Sequence, residues 1–352
     1  MELCRIVSMF LIVMSHVVTI PYNNQIPTGT INSVILEILS SGGGIGVSIF
    51  ILISGYFGIK FSLKKIFKLW SLTFFYSILF LLLYLICENY VEIKPLSIKL
   101  CVHYLLPVST SLYWFISAYF MLFLLSPFIN KLIENINTKY LISLTVLLVI
   151  FTYFNIPRVF YSFSLTYFIS LYLIGYILKR FDIPNKVSNK FITFVLISCF
   201  LFYLSFFLIE NFTDIGRTLL KANMIIYHNS IITLIIALCI IILFARMKSF
   251  YSPLINKISL SVLSVYLIHG NPFILNLFIR NFNLDINSPI ILFGYILIAT
   301  ITIFSISVFI DKCRVVLLIP FSTNIEKINT TFINYAEKIF NKITNFVLLK
   351  LK

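Results

Sequence analysis

Acidic side chains are scarce in this chain: 12 Asp and Glu among 352 residues, against 27 Lys and Arg. Together they fall far below the roughly one residue in four that a soluble globular protein carries as charge, so a water-soluble domain of this length is excluded. Paired cysteines are missing as well. Cys4, Cys87, Cys101, Cys199, Cys239 and Cys313 show no CxxC spacing, which leaves neither a zinc signature nor a disulfide framework; only Cys87 and Cys101 flank a common loop. No internal repeat is evident, which removes support from transporter folds built of duplicated halves. A basic leader with a small-residue cleavage site is also lacking, and the apolar run that starts at Leu3 reads as a retained first helix.

Apolar residues are what the chain has in excess, at 60% of positions. A hydrocarbon slab of ~30 Å takes about 20 helical residues to cross. Runs of approximately that length occur at Leu3–Ile20, Gly44–Ile59, Ile66–Cys87, Leu112–Ile129, Tyr140–Phe154, Leu165–Leu178, Phe191–Ile209, Ile225–Phe244, Ile258–Ile279 and Ile290–Ile310. They are continuous rather than alternating, which selects helices over a β-barrel. The expected fold is therefore all-α: a polytopic bundle of about ten transmembrane helices.

The formal net charge of +15 is read loop by loop and not as a nucleic-acid-binding surface. With the N-terminus inside, alternate loops on the cytoplasmic side hold 20 Lys and Arg against six on the external side, so both termini are expected in the cytoplasm. After Pro320, Ile325, Ile328, Phe332, Ala336, Ile339, Ile343 and Phe346 recur at helical spacing, with Lys327, Lys338, Lys342 and Lys350 between them. Residues 315–352 thus read as an amphipathic cytoplasmic tail that meets membrane lipids or packs on the bundle, and residues 1–314 as the transmembrane domain.

Ionisable groups inside a span are costly, so each is a candidate for function. Arg5 and His16 in the first run are 11 residues apart, about three turns, and share one face ~16.5 Å apart. Arg5 either snorkels to the inner headgroups or binds an anion; His16 is either a packing residue or a base. His228, His269 and His103 also fall in the outer half or outside, which suits proton transfer reached from that face. Their spacing is too irregular for a metal site, and none is expected. Lys64, Lys65 and Lys68 lie within about one turn at the start of the third run, either as a positive-inside anchor or as a phosphate site. Trp114 opens the fourth run as an aromatic-belt residue or a stacking platform for a sugar.

Arg5-x10-His16, Gly46-Val-Ser-Ile-Phe-Ile-Leu-Ile-Ser-Gly55-Tyr, Lys64-Lys-Ile-Phe-Lys68, Trp114-Phe-Ile-Ser-Ala-Tyr with Ser126-Pro127, and Tyr266-Leu-Ile-His269 occur in that order. The ordered set resembles the acyltransferase 3 family of integral membrane O-acyltransferases, from Arg5 to about Ile310. The resemblance implies transfer of an acyl group, acetyl above all, from cytoplasmic acetyl-CoA to a hydroxyl of an exported polysaccharide such as O-antigen, capsule or exopolysaccharide. It implies a bacterial plasma-membrane location, acyl-CoA and a polysaccharide or lipid-linked sugar as partners, and a place beside polysaccharide synthesis machinery. Arg5 and His16 correspond to the required first-span pair, and Lys64–Lys68 to the second cationic motif. On this reading Arg5 with Lys64, Lys65 and Lys68 is expected to bind the donor phosphates, and Trp114, His269 and His228 are expected to contact the acceptor. Two departures stand out. Position 48 is Ser where many members carry an acidic residue, which leaves His16 without that carboxylate, and the second basic motif is lysine rather than arginine. An exporter of polysaccharide or lipid-linked oligosaccharide without chemistry is the alternative from another class.

Overall fold

Glycine decides which helix lies at the centre. The computed structural model describes residues 1–23, 26–88, 97–153, 165–214, 216, 230–321, 330–331, 333–335 and 338, and among them there is helix and no strand. Helix α1 spans Glu2–Thr19, α2 Ile31–Ser40 and α3 Gly42–Phe57. A Cβ on Gly43 would strike Ser15, and one on Gly46 would strike Ser8 and Ile12, so α1 crosses α3 almost backbone to backbone. The crossing is antiparallel: Gly42 lies beside Leu11, and Gly46, further along α3, beside Ser8. A second seam joins α3 to the later helix at Leu165–Arg180, where Gly55 abuts the backbone of Tyr172 and Gly175 abuts that of Leu52. In lipid, where burying apolar surface gains nothing between helices, such close van der Waals seams hold a bundle together.

The remaining elements wrap this centre. They are α4 (Leu63–Cys87), α5 (Ile98–Leu105), α6 (Trp114–Asn135), α7 (Thr138–Tyr153), α8 (Leu165–Arg180), α9 (Ile183–Lys186) and α10 (Asn189–Phe212). Then come α11 (Ile231–Arg246), α12 (Pro253–Ser259), α13 (Val262–His269), α14 (Pro272–Leu277) and α15 (Pro289–Leu318). Helix α11 covers a further side of α3, α15 packs on α1 and α13, α7 backs onto α8, and α4 joins α5, α6 and α13. Residues Thr30, Ser97, Ser188, Ser230 and Ser252 each cap a helix by accepting the backbone N–H three residues on. Gly58, at φ +73°, closes α3 in a backbone conformation that a side chain would resist. Pro127 inside α6 frees the Phe123 carbonyl, and the neighbouring Ser126 hydroxyl donates to that same oxygen at 2.7 Å.

Each predicted apolar run holds helix. Among the described residues, six helices are long and apolar enough to cross a membrane, seven if the bent pair Val262–His269 and Pro272–Asn281 counts as one, and Thr138–Tyr153 and Ile231–Arg246 are shorter apolar helices. Outer faces such as Phe194, Ile197, Phe200 and Leu201 on α10 are exposed, as a lipid-facing helix requires. Sequence reading missed α2, which extends the second run toward the N-terminus so that Ile31–Phe57 forms one 27-residue apolar stretch. The run 258–279, taken as a single span, is three helices, because Leu260-Ser261 and Gly270-Asn271 interrupt it. Helix α15 continues through residue 314 to Leu318, and most of the tail lies outside the described residues. All six cysteines, Cys87 and Cys101 included, are free thiols.

Basic residues gather at one end. Arg180 donates to Thr138 Oγ1 at 3.3 Å, Arg246 to Asn189 Oδ1 at 2.6 Å and to the Pro184 carbonyl, and Lys312 to the Lys257 carbonyl at 2.6 Å. Lys179 lies over the rings of Tyr56 and Phe57, and Asn130 donates to the Ile59 carbonyl. Met1, Glu2 and Leu3 line a cleft of about 150 Å³ with Met247, Lys248 and Asn256. The segments that sequence reading assigned to the cytoplasm therefore meet one another, and they bring the N-terminus with them.

Candidate active site

The site is built around a helix break. Helix α13 ends at His269, where Gly270 N–H returns to the Tyr266 carbonyl at 2.9 Å. Asn271 then caps α14 by accepting Phe273 N–H at 2.9 Å, and Pro272 follows at the first helical position, which needs no N–H. The two axes differ by 55°. Asn271 is itself fully buried: its Oδ1 also accepts the Tyr104 hydroxyl at 3.0 Å, and its Nδ2 donates to the Tyr113 hydroxyl at 2.6 Å. Tyr104 is tied to α4, because Ser77 donates to its carbonyl at 2.6 Å. The break is thereby pinned from α4, α5 and the start of α6.

His269 is fully buried, and its Nδ1 is 2.6 Å from the Val265 carbonyl. A carbonyl only accepts, so Nδ1 carries the proton and Nε2 presents a lone pair. Nε2 is buried and makes no hydrogen bond among the described residues. The neighbouring ring is His16: the two imidazole centroids lie 5.1 Å apart at 47°. Tyr266 stands edge-on to His269 at 6.1 Å, and Phe115 and Tyr113 continue the aromatic wall at 5.4 and 6.2 Å from Tyr266. Two histidines that sequence reading placed in different roles thus face each other, His16 half-buried and His269 behind it.

The other predicted residues fall as follows. Trp114 is half-buried, its ring 6.0 Å from Phe115 and 6.2 Å from Phe168. Arg5 lies three turns below His16 on α1 and forms an ion pair with Glu2 at 2.7 Å, both partly exposed. Lys64, Lys65 and Lys68 are exposed on the first turns of α4, at the same end of the bundle. Helix α4 packs on α5, α6 and α13, and α1 on α2, α3, α12, α13 and α15, so α13 is the element they share. His228 lies outside the described residues, and His103 is half-buried in α5. Ser48 donates to the Gly44 carbonyl at 2.8 Å and exchanges a 2.8 Å hydrogen bond with Tyr167, so this position serves the α3–α8 seam.

Three polar groups escaped sequence reading. Asp311, one residue beyond the last predicted run, is buried; it accepts the Tyr76 hydroxyl at 2.9 Å and Arg314 Nε at 2.9 Å. Glu37 on the missed α2 is buried and accepts Asn211 Nδ2 at 2.8 Å. Asn271 was legible as an Asn-Pro break signal inside an apolar run. Among the described residues no group of three His, Cys, Asp or Glu is arranged to hold a metal.

A family model described as an acyltransferase domain matches residues 1–310 of the chain. Neither the curated proteins nor the solved structures include a match.

Proposed function

Because the chain belongs to the acyltransferase 3 family and is a membrane acyltransferase, we propose that it moves an acetyl group from cytoplasmic acetyl-CoA to a hydroxyl of an exported cell-surface or capsular polysaccharide, in the bacterial plasma membrane. The observation that carries this reading is the imidazole pair: His16 beside His269 at 5.1 Å, inside the bundle. Arg5 lies on the same helix ~16.5 Å away, at the end where the basic residues gather.

Arg5, Lys64, Lys65 and Lys68 bind the donor phosphates, the guanidinium in bidentate fashion and the ammonium groups as point charges. The pantetheine arm runs along α1 toward His16. A neutral imidazole there takes the proton of the acceptor hydroxyl as its oxygen attacks the thioester carbonyl. The C–S bond breaks, the proton passes to the departing thiolate, and an ester and free CoA result. A transient acyl-imidazole on His16 is the covalent form of the same chemistry. Trp114 supplies a ring face to the acceptor sugar, with His228 as the further acceptor contact. The acceptor reaches the site from polysaccharide synthesis machinery in the same membrane.

The test compares cells with wild type or His16→Ala at matched membrane levels. Ester-acetyl signals of the surface polymer, read by NMR, should fall by about 10²–10⁴-fold in rate terms while polymer yield and chain length persist. Loss of the polymer itself would make the protein an exporter, and unchanged acetylation would make His16 a packing residue.

A further inference from the structure

The acid that family resemblance leads one to seek beside His16 is absent from position 48, and Ser48 is committed to Tyr167 on α8. What the fold sets against His16 is another imidazole. His269 is held in one tautomer by its own helix, with Nδ1–H on the Val265 carbonyl at 2.6 Å. Its Nε2 is a buried acceptor with no hydrogen bond among the described residues, and an unmatched buried acceptor is a costly thing to keep. His16 Nδ1 is likewise buried without a hydrogen bond among the described residues, and ring centroids 5.1 Å apart are the separation that an N–H···N bond of ~2.7–3.2 Å between two imidazoles gives.

We infer that His269 is the positioning residue of His16: its Nε2 accepts the N–H of one His16 nitrogen, which sets the orientation in which the other His16 nitrogen meets substrate. The inference rests on the reading of acyl transfer at His16 and adds to it the group that orients the base. In the chain carbonyl–His269–His16, each proton has one donor and one acceptor. When His16 takes the hydroxyl proton, the imidazolium N–H already points at the His269 lone pair. Proton count is conserved, because His269 keeps its own proton on Nδ1 throughout. Tyr266 walls one side of the pair at 6.1 Å from His269, and the Asn271 pin on Tyr104 and Tyr113 fixes the end of α13 from which His269 projects.

Two substitutions separate orientation from packing. His269→Asn keeps an amide N–H where Nδ1 sits and removes the acceptor at Nε2, whereas His269→Gln returns a carbonyl oxygen near the Nε2 position. With full-length protein in bilayers, His269→Asn should lower kcat for acetyl transfer by about 10- to 100-fold with KM for acetyl-CoA unchanged, and His269→Gln should recover part of the loss. Equal activity in all three, or equal loss in both variants, overturns the inference. A second measurement does not need turnover: solid-state 15N spectra of histidine-labelled protein, assigned through His16→Ala and His269→Asn. Expected is an Nδ1-protonated His269 whose Nε2 resonance moves when His16 is removed. An Nε2 resonance indifferent to His16 overturns the pairing. Wild type that transfers no acetyl while showing this coupling would overturn the acetyl-transfer reading and leave the pairing standing.

Discussion

At the scale of single residues, the proposed donor end carries a charge that is already shared. Arg5 is paired with Glu2 one turn away at 2.7 Å, and Glu2 in the first turn also suits the helix dipole. If Arg5 binds donor phosphate, the carboxylate competes with it. Glu2→Gln should therefore tighten binding of a non-hydrolysable acetyl-CoA analogue to purified protein by a few-fold, and Arg5→Gln should weaken it; equal affinity in both variants would return Arg5 to a snorkelling role. The buried Asp311 gives a contrasting case in which the pairing is structural. Tyr76→Phe removes one of its hydrogen bonds but leaves Arg314 in place, so thermal unfolding in detergent should register a loss of about 1–2 kcal/mol. Asp311→Ala leaves both the Tyr76 hydroxyl and Arg314 without it and should cost more than Tyr76→Phe in the same assay.

At the scale of elements, the seams of α3 make the sharpest expectations. A Cβ at Gly55 or Gly175 runs into backbone atoms of the facing helix, which cannot yield as a flexible side chain can. Gly55→Val and Gly175→Val should each lower stability by about 1–3 kcal/mol or more and reduce folded yield, read by size-exclusion chromatography of the membrane extract. Gly294 in α15 has open space where its Cβ would be and no positive φ. Gly294→Ala should raise the melting temperature slightly, since alanine is favoured over glycine by roughly 0.5–1 kcal/mol within a helix. Elements were legible in the sequence where length and apolarity sufficed, as in α1, α4 and α10. Hydropathy alone did not show them where a break sits inside an apolar run: it is continuous over 258–279 although Gly270-Asn271 turns the chain by 55°, and only the Asn271-Pro272 pair marked the turn. Helix α2 was missed for the opposite reason, since its ten residues are shorter than a span. In the site, His16 and His269 each stood out as ionisable groups in apolar surroundings. Their meeting was invisible, because nothing local to either residue encodes a contact between the first helix and one some 250 residues later; it depends on how α13 packs on α1.

At the scale of the whole molecule, the alternation of basic loops becomes a single polar end. Loops around 57–63, 130–138, 180–190 and 246–257 touch one another or the end of α15 through the contacts of Asn130, Arg180, Arg246 and Lys312, and the N-terminus shares a cleft with residues 247–256. The positive-inside rule then predicts which side that end faces. In a cysteine-free background, a membrane-impermeant thiol reagent applied to intact cells should label Ser109→Cys, in the loop between α5 and α6, and spare Asn137→Cys, between α6 and α7. The reverse pattern would invert the molecule and with it the side from which the donor arrives.

The glycine seam between α3 and α8 also sets a timetable for biosynthesis. Gly55 leaves the ribosome roughly a hundred residues before Tyr172, the residue whose backbone it abuts, which at ~5–20 residues per second is a delay of about 5–20 s. For that interval α3 has α1 and α6 beside it, but the helix that fills the Gly55 side is not yet made. A nascent chain stalled before α8 therefore offers the insertion machinery a narrow, glycine-lined helix face, and chaperoning of that face by the translocon or by lipid is a condition the finished bundle no longer reveals.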